Sequence, residues 1–128
     1  MSKAVNKRQT VLICDDEADI LTVFTEVLES EFVVLTADSG EECIRKVNEQ
    51  KRKGNRIDIV LLDYKLGDML GDEVATKLRA LVNSKIVLIT AYELEDKTIE
   101  QMKKSGLIVD RIKKPISISE LLPRLKSI

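Results

Sequence analysis

Short apolar runs alternate along the chain with longer stretches in which apolar residues recur every three or four positions. A short run that is apolar throughout is typical of a strand covered on both faces of a sheet, whereas the longer spacing predicts an amphipathic helix. The predicted strands cover residues 11–14, 32–35, 57–62 and 86–89, with a fifth inside 107–112. The predicted helices cover about 17–29, the segment after Ser39 and Gly40, 74–82, a weaker stripe at 94–102, and the segment after Pro115.

The last helix is the least regular of these predictions, because Pro123 interrupts its apolar stripe. A proline beyond the first helical turn removes a backbone hydrogen bond and kinks the helix. A helix capped by Ser117 or Ser119 would contain this proline. A helix that starts nearer Leu122 is the alternative that the sequence leaves open.

Four glycines mark expected changes of chain direction. Gly54 and Gly106 follow the second and fourth helical stripes, so we expect these helices to end there. Gly67 and Gly71 lie in the loop after the third strand. Glycine suits tight or left-handed backbone, and we expect such a backbone in this loop.

Strands that alternate with helices predict an α/β fold, because a connection long enough to hold a helix joins parallel strands by a right-handed crossover. We expect a doubly wound, five-stranded parallel sheet in the flavodoxin-like order 2-1-3-4-5, with five helices. A chain of 128 residues is long enough for one core and too short for two ordinary domains. Residues 1–10 are polar and lack periodicity, so we interpret them as a flexible leader and residues 11–128 as the domain.

Polar residues follow the apolar strands at the ends where a parallel sheet opens into its ligand crevice. Asp15 and Asp16 follow the first strand, and Asp63 follows the third. In the order 2-1-3-4-5 these two strand ends are neighbours. Thr90 follows the fourth strand, and Lys114 stands just before the proline that follows the fifth.

Three carboxylates in one crevice predict a cation between them. Two unit charges about 4 Å apart repel by roughly 4 kcal/mol at an effective dielectric constant near 20. The chain contains no histidine, so the ligands are oxygens, and Mg²⁺ suits them best. A carboxylate such as Asp63 can attack phosphorus, provided that Lys114 and a metal neutralise the transferring oxygens, and the Thr90 hydroxyl can donate to another oxygen.

The composition of the chain bears on its partners, its location and its cysteines. The 21 basic and 22 acidic residues give a formal charge of -1, so the chain has no general attraction for nucleic acid or anionic membranes. No apolar run reaches the length of a membrane span or a signal peptide, so we expect a cytoplasmic protein. Cys14 and Cys43 fall in a predicted strand and a predicted helix, which indicates reduced core residues.

Taken together, these residues resemble the receiver domain of two-component response regulators, over nearly the whole chain from Val11 onwards. The resemblance implies a phosphoryl group carried on Asp63, with Thr90 and Lys114 at the site. It implies that Asp16 and Asp63 ligate Mg²⁺ directly, that Asp15 does so through water, and that the backbone carbonyl of Lys65 completes the protein ligands. It also implies a cis bond between Lys114 and Pro115. Gly71, eight residues after Asp63, matches the turn glycine of the family.

The same resemblance implies a histidine kinase or phosphotransfer protein as the phosphoryl donor and altered binding of another protein as the output. The expected output surface is formed by helix 4, strand 5 and helix 5. The chain ends at Ile128, so we expect a receiver that acts alone or a domain cut from a longer protein. Arg111 stands where the family often has an aromatic residue, and Lys65 and Tyr92 occupy positions that tune phosphoryl lifetime in the family.

Other interpretations of the same residues stay open. A magnesium-dependent phosphatase for small substrates would also use Asp63 as a nucleophile, although Lys65 stands where one such family has a second acid. A receiver-like module that is never phosphorylated would signal by constitutive contacts. Taken singly, Asp15 could be a helix cap, Thr90 the end of a strand and Lys114 a solvated lysine, but their joint placement at strand ends favours a site.

Overall fold

The structure is a computed structural model that describes residues 8–128. Strands and helices alternate along the chain. The strands are β1 (Thr10–Cys14), β2 (Val33–Ala37), β3 (Ile59–Asp63), β4 (Lys85–Thr90) and β5 (Asp110–Lys113). The helices are α1 (Ala18–Leu28), α2 (Gly40–Arg52), α3 (Gly71–Arg79), α4 (Asp96–Lys104) and α5 (Ile118–Lys126).

The five strands form one parallel sheet in the order β2-β1-β3-β4-β5. The predicted flavodoxin-like order is therefore confirmed. Alternate residues of each strand face opposite sides, as strand geometry requires. In β1, Val11 and Ile13 pack with α1 and α5, whereas Leu12 and Cys14 pack with α2, α3 and α4. The sheet is thus buried on both faces.

The first strand begins at Thr10, one residue earlier than predicted and inside the stretch that the sequence assigned to the leader. The backbone N–H of Thr10 donates to Asp58 Oδ2 (2.8 Å), and the backbone N–H of Asp58 donates to the Thr10 carbonyl (2.9 Å). These bonds hold the start of β1 beside the segment that leads into β3. Residues 1–7 of the predicted leader lie outside the described residues.

The helix ends follow the glycines as predicted for α2 and α4. Gly54 and Gly106 have φ angles of 76° and 78°, which favour glycine and end a helix. The suggestion of left-handed backbone is wrong for Gly67 and Gly71, since neither has a positive φ. Gly71 instead serves a close approach: an added Cβ would lie 2.9 Å from the Asp63 carbonyl oxygen and 2.9 Å from Tyr64 Cα.

The final helix starts at Ile118, with Ser117 as its N-cap residue. The alternative start nearer Leu122 is therefore wrong, and Pro123 lies inside the helix. Burial explains this outcome, because Leu121 and Leu125 are 0% and 1% exposed against the α1 side of the sheet. Packing of that stripe outweighs the hydrogen bond that the proline removes.

Two further observations bear on the sequence predictions. Cys14 in β1 and Cys43 in α2 are buried free thiols in the core, where the sequence placed them. Among the described residues, no helix combines the length and the apolar character that crossing a bilayer requires.

Candidate functional site

Four strand ends converge at the carboxyl edge of the sheet. The register pairs Cys14 of β1 with Leu62 of β3, so the residues that follow them, Asp15 and Asp63, are neighbours. On the other side of β3, Asp63 pairs with Ile89, and Thr90 follows directly. Parallel pairing therefore brings together residues that are far apart in the sequence.

Lys114 lies between two of the carboxylates. Its Nζ donates to Asp15 Oδ2 at 2.7 Å and lies 3.7 Å from Asp63 Oδ2. The lysine side chain is 12% exposed. The bond between Lys114 and Pro115 is cis, as the resemblance implied. A nearly buried ammonium group thus bridges the ends of β1 and β3.

The three aspartates form one cluster. A carboxylate oxygen from each of Asp15, Asp16 and Asp63 lies within 4.8 Å of the others. Asp15 and Asp63 are 1% and 6% exposed, and Asp16 is exposed. Three hard oxygen donors, two of them shielded from water, fit a divalent cation such as Mg²⁺ in their chemistry. One lysine leaves the cluster with an excess of negative charge that such a cation would neutralise.

Burial changes the proton affinity of the central carboxyl group. It raises the pKa of Asp63 to about 6, and the charge of Asp15 adds to this effect, while the nearby Lys114 ammonium opposes it. Burial alone would lower the pKa of Lys114. The hydrogen bond to Asp15 and the charge of Asp63 outweigh burial, so the Lys114 pKa lies above its ordinary value. At neutral pH the site therefore holds a carboxylate at Asp63 and an ammonium at Lys114.

Thr90 faces the same edge with its side chain buried, 3% exposed. Its Oγ1 accepts a hydrogen bond from the backbone N–H of Tyr92 at 2.9 Å. The backbone N–H of Lys114 donates to the Thr90 carbonyl at 3.0 Å. The hydroxyl hydrogen is not used by the Tyr92 contact, so Thr90 keeps a donor for a ligand oxygen at this edge.

The loop after Asp63 is held close to the strand end. The backbone N–H of Gly71 donates to the Tyr64 carbonyl at 2.6 Å, and Lys65 bridges to Leu70. The Lys65 side chain lies over the Tyr92 ring, with Nζ 4.2 Å from the ring centroid. The predicted ligand role of Lys65 concerns its backbone carbonyl, and it stays a prediction.

An aromatic pair beside the site was missed by the sequence reasoning. The rings of Tyr64 and Tyr92 stack with centroids 5.4 Å apart and planes at 14°. Tyr64 is 8% exposed and Tyr92 is 45% exposed, and burial raises the pKa of Tyr64. Tyrosines next to Asp63 and two residues after Thr90 were the only signal of this contact in the sequence.

Arg111 lies in β5, half-buried, opposite Leu88 of β4. Because strand residues alternate, it lies on the opposite face of β5 from the core residue Ile112, and so on the α4 side of the sheet. An arginine therefore occupies the place on this edge strand that the resemblance assigned to an aromatic side chain.

A second concave region lies at the opposite end of the sheet. This cavity of about 560 Å³ is lined by Lys51, Arg56 and Lys85, among others. Arg56 Nε pairs with Asp58 at 3.0 Å, and Lys85 Nζ donates to the Ile128 carbonyl at 3.1 Å. Two of its three cations are thus already engaged, so the acidic cluster is the stronger candidate site.

Comparison with known proteins identifies the family. A sequence model described as the response regulator receiver domain matches residues 11–126. The transcriptional regulatory protein YvrH of Bacillus subtilis is 34% identical over an alignment of 123 residues, and the match covers 92% of this chain and 48% of YvrH. The phosphate regulon transcriptional regulatory protein PhoB of Pseudomonas aeruginosa is 32% identical over an alignment of 127 residues, and the match covers 94% of this chain and 51% of PhoB. The chain spans about half the length of these relatives.

Solved structures agree with the sequence match. A two-component response regulator from Clostridium difficile superposes with a TM-score of 0.80 at 26% identity, covering 94% of each chain. A CheY-like receiver domain from Methanospirillum hungatei gives a TM-score of 0.79 at 24% identity, covering 94% of this chain and 93% of the other, and shows the shared fold. The family match over residues 11–126 thus shows that this chain belongs to the response regulator receiver domain family of two-component systems.

Proposed function

We propose that this chain accepts a phosphoryl group on Asp63, in the presence of Mg²⁺, from a histidine kinase or phosphotransfer protein, and signals through altered protein binding. The observation that carries the proposal is the proximity of a nearly buried ammonium group to two buried carboxylates. Lys114 Nζ lies 2.7 Å from Asp15 and 3.7 Å from Asp63. Such an arrangement supplies a nucleophile together with a positive charge for the transferring oxygens.

The nucleophile in this proposal is a carboxylate oxygen of Asp63. It attacks phosphorus as the bond from phosphorus to the donor nitrogen breaks, and the phosphoryl group becomes an acyl phosphate on Asp63. A raised pKa of about 6 leaves Asp63 largely ionised at neutral pH, as an attacking group must be. The raised pKa of Lys114 keeps its ammonium charged beside the transferring oxygens.

Asp15, Asp16 and Asp63 would hold Mg²⁺, together with the carbonyl of Lys65. When bound, the cation supplies positive charge against the phosphoryl oxygens. Thr90 would donate its hydroxyl to one of these oxygens. Its Oγ1 also accepts the backbone N–H of Tyr92, so a shift of Thr90 toward the phosphoryl group would move the loop after β4 with it.

The output follows from a shift between two arrangements of that loop, because a ligand changes an equilibrium only by binding one state better than the other. The expected output surface consists of α4, β5 and α5. Its elements are linked by Asp110, which lies 3.0 Å from Arg124 of α5 and 3.8 Å from Lys103 of α4. A movement of α4 would therefore be transmitted to β5 and α5 through the contacts of Asp110.

The test is phosphorylation by a small donor. The full chain is incubated with acetyl phosphate and Mg²⁺, and intact mass is then measured. We expect one acid-labile phosphoryl adduct on the wild-type chain and none on Asp63→Asn. Asp96→Asn removes an exposed acid at the start of α4, and as a matched control it should retain the adduct.

Three results would contradict the proposal. An adduct that persists in Asp63→Asn would place the phosphoryl group elsewhere, and a wild-type chain without an adduct would favour a constitutive binding module. Sustained turnover of a generic phosphate ester by the wild-type chain would favour the small-molecule phosphatase instead.

A further inference from the structure

Asp68 lies in the loop between β3 and α3, outside the acidic cluster, yet it is fixed at both carboxylate oxygens. Oδ1 accepts the backbone N–H of Gly40 and Oδ2 accepts that of Glu41, each at 2.9 Å. Gly40 and Glu41 are the first two residues of α2, whose amides have no partner inside the helix. Asp68 therefore caps a helix from 28 residues away in the sequence.

The pKa of Asp68 agrees with this contact. The N–H groups of Glu41 and Gly40 hold the pKa of this carboxyl group below its usual range. Hydrogen bonds that favour the charged form have this effect on an exposed acid. The carboxylate is thus charged, and each of its oxygens has a defined partner at neutral pH.

The next residue of the loop packs directly on the backbone of α2. An added Cβ at Gly40 would lie 2.5 Å from Met69 Cγ and 2.9 Å from Val74 Cγ2. A side chain at this position would force Met69 and Val74 to shift. Asp68 and Met69 together press the β3–α3 loop onto the amino-terminal end of α2.

Apolar packing also holds the middle of the loop: Leu66 is 5% exposed in the core, and Met69 packs against the same core. Gly67 is exposed, and an added Cβ there would meet nothing within 4 Å. Glycine leaves the backbone with more conformational freedom than any other residue. The loop is otherwise held at its two ends, by the bridge between Lys65 and Leu70 and by the Gly71 N–H. Asp68 thus supplies the polar anchor between these two ends.

The segment that receives this anchor also holds the end of β1 and Asp15, which follows it. The backbone N–H of Asp15 donates to the Ala37 carbonyl at 3.1 Å, and Cys14 Sγ donates to the Ser39 carbonyl at 3.4 Å. Ser39 is the N-cap of α2. Asp68 thus links the loop that follows Asp63 to the segment on which Asp15 is fixed.

We propose that Asp68 is a positioning residue for the phosphoacceptor site: by fixing the β3–α3 loop on α2, it sets the spacing between the ligands of β3 and those of β1. This inference rests on the proposed function, because the spacing matters through the bound cation. Asp68 touches neither the cation nor the phosphoryl group. It acts through the loop that carries Lys65.

The test compares two substitutions, each of which removes a capping side chain from the amino-terminal end of α2. Asp68→Ala removes the loop anchor, whereas Ser39→Ala removes the Ser39 Oγ bond to the Glu42 N–H and leaves the loop in place. Mg²⁺ binding to each full-length variant is measured by titration calorimetry, and stability by urea unfolding. We expect the dissociation constant for Mg²⁺ to rise at least about threefold in Asp68→Ala and to stay within about twofold of wild type in Ser39→Ala.

A milder variant and a reciprocal measurement sharpen the test. Asp68→Asn keeps one acceptor oxygen, so its dissociation constant should fall between wild type and Asp68→Ala. Linkage requires that Mg²⁺ in turn stabilises the anchor. In wild type, Mg²⁺ should therefore slow hydrogen exchange at the Gly40 and Glu41 amides, and in Asp68→Ala it should not.

The positioning role is overturned if Asp68→Ala and Ser39→Ala change Mg²⁺ affinity equally, or if Asp68→Ala binds as tightly as wild type. A wild-type chain that binds Mg²⁺ but takes no phosphoryl group overturns the proposed function alone, and the comparison of dissociation constants still decides the role of Asp68. A wild-type chain that does not bind Mg²⁺ overturns both.

Discussion

Asp63 combines a charge with a position that water hardly reaches. Its side chain is buried at the end of β3, and burial is the largest influence on its raised pKa. A buried carboxylate costs folding free energy unless its partners compensate for the water it has lost. Lys114, at 3.7 Å, offsets part of this cost, while Asp15 adds to it. The metal-free protein thus keeps a destabilising charge at the centre of its proposed site.

This charge predicts that Asp63→Asn stabilises the metal-free chain. The unfolded carboxyl has a pKa of about 3.9 and the folded one a pKa of about 6, so the folded state binds the proton more tightly. The contribution of Asp63 to the stability of wild type therefore falls as pH rises from about 4 to about 6, and the loss is complete above that range. We expect Asp63→Asn to be more stable by about 1–3 kcal/mol at pH 8 and equal to wild type near pH 4.

Urea unfolding in EDTA, at several pH values, measures this difference. Asp96→Asn changes an exposed acid. The difference in unfolding free energy between this variant and wild type should show no comparable dependence on pH. A stability gain that stays constant from pH 4 to pH 8 would mean that titration of Asp63 is not its cause.

At the residue scale, the sequence predicted which side chains lie at the carboxyl edge but not how they pair. The position of a residue at the end of a strand can be read from the local sequence. This was enough to predict that Asp63, Thr90 and Lys114 lie at the carboxyl edge of the sheet. The closer partner of Lys114 is Asp15, at 2.7 Å, which depends on side-chain directions across the sheet. The capping of α2 by Asp68 joins distant loops and leaves no periodic pattern.

At the scale of the element, α5 accommodates a proline in its second turn. Pro123 has no N–H, so the Ser119 carbonyl lacks its usual helical donor four residues later. The helix persists because Leu121 and Leu125 are buried against the sheet. Stability of this element therefore comes from packing rather than from local propensity.

We expect Pro123→Ala to stabilise the chain by about 1 kcal/mol. Alanine restores the missing N–H and removes a helix breaker, and these gains exceed the lost stiffness of the unfolded chain. The free energy of urea unfolding measures the effect. Ser119→Ala keeps both the carbonyl and the proline and serves as the control. Unchanged or lower stability in Pro123→Ala would show that the ring itself packs favourably.

Hydrophobic periodicity located the elements, but most boundaries differ from the predicted ones by one to three residues; the third helix was predicted at 74–82 and spans Gly71–Arg79. The second strand was predicted at 32–35 and spans Val33–Ala37, because Phe32 packs into the core from the turn before it. The fifth was sought inside 107–112 and spans Asp110–Lys113. There the N–H groups of Leu107 and Ile108 bond back to Met102 of α4. Apolar residues that pack from turns look like strand residues in a sequence.

At the scale of the whole molecule, Arg79 joins parts that the sheet alone does not connect. Its guanidinium group leaves the end of α3 and donates to the Ser84 carbonyl at 2.9 Å and to the Leu107 carbonyl at 3.1 Å. The first acceptor precedes β4 and the second follows α4. The Arg79 side chain thus connects the end of α3 to the segment before β4 and the segment after α4, at the end of the sheet opposite the acidic cluster.

We expect Arg79→Met to lower the free energy of unfolding by about 1–3 kcal/mol, because hydrogen bonds from a charged donor are lost while the methylene packing is kept. Urea unfolding provides the measurement. Lys77→Met, on the same helix, removes an exposed cation 3.6 Å from Glu73 and should change stability by less than about 0.5 kcal/mol. Equal effects of the two substitutions would contradict a bridging role for Arg79.

The topology of the whole molecule was the most predictable level, since alternating strands and helices permit few chain paths. The bridge at Arg79 was not predictable, because an arginine at the end of a helix most often points into solvent. Its role depends on two loops that meet only after the sheet has formed.

The stacked tyrosines provide an intrinsic spectroscopic signal from the site. The chain has two tyrosines and no tryptophan, and both rings lie face to face beside Asp63 and Thr90. Near-ultraviolet absorption and emission from tyrosine therefore originate at this one corner of the molecule. The tyrosine signal of an unlabelled sample therefore reports on the loops flanking the acidic cluster.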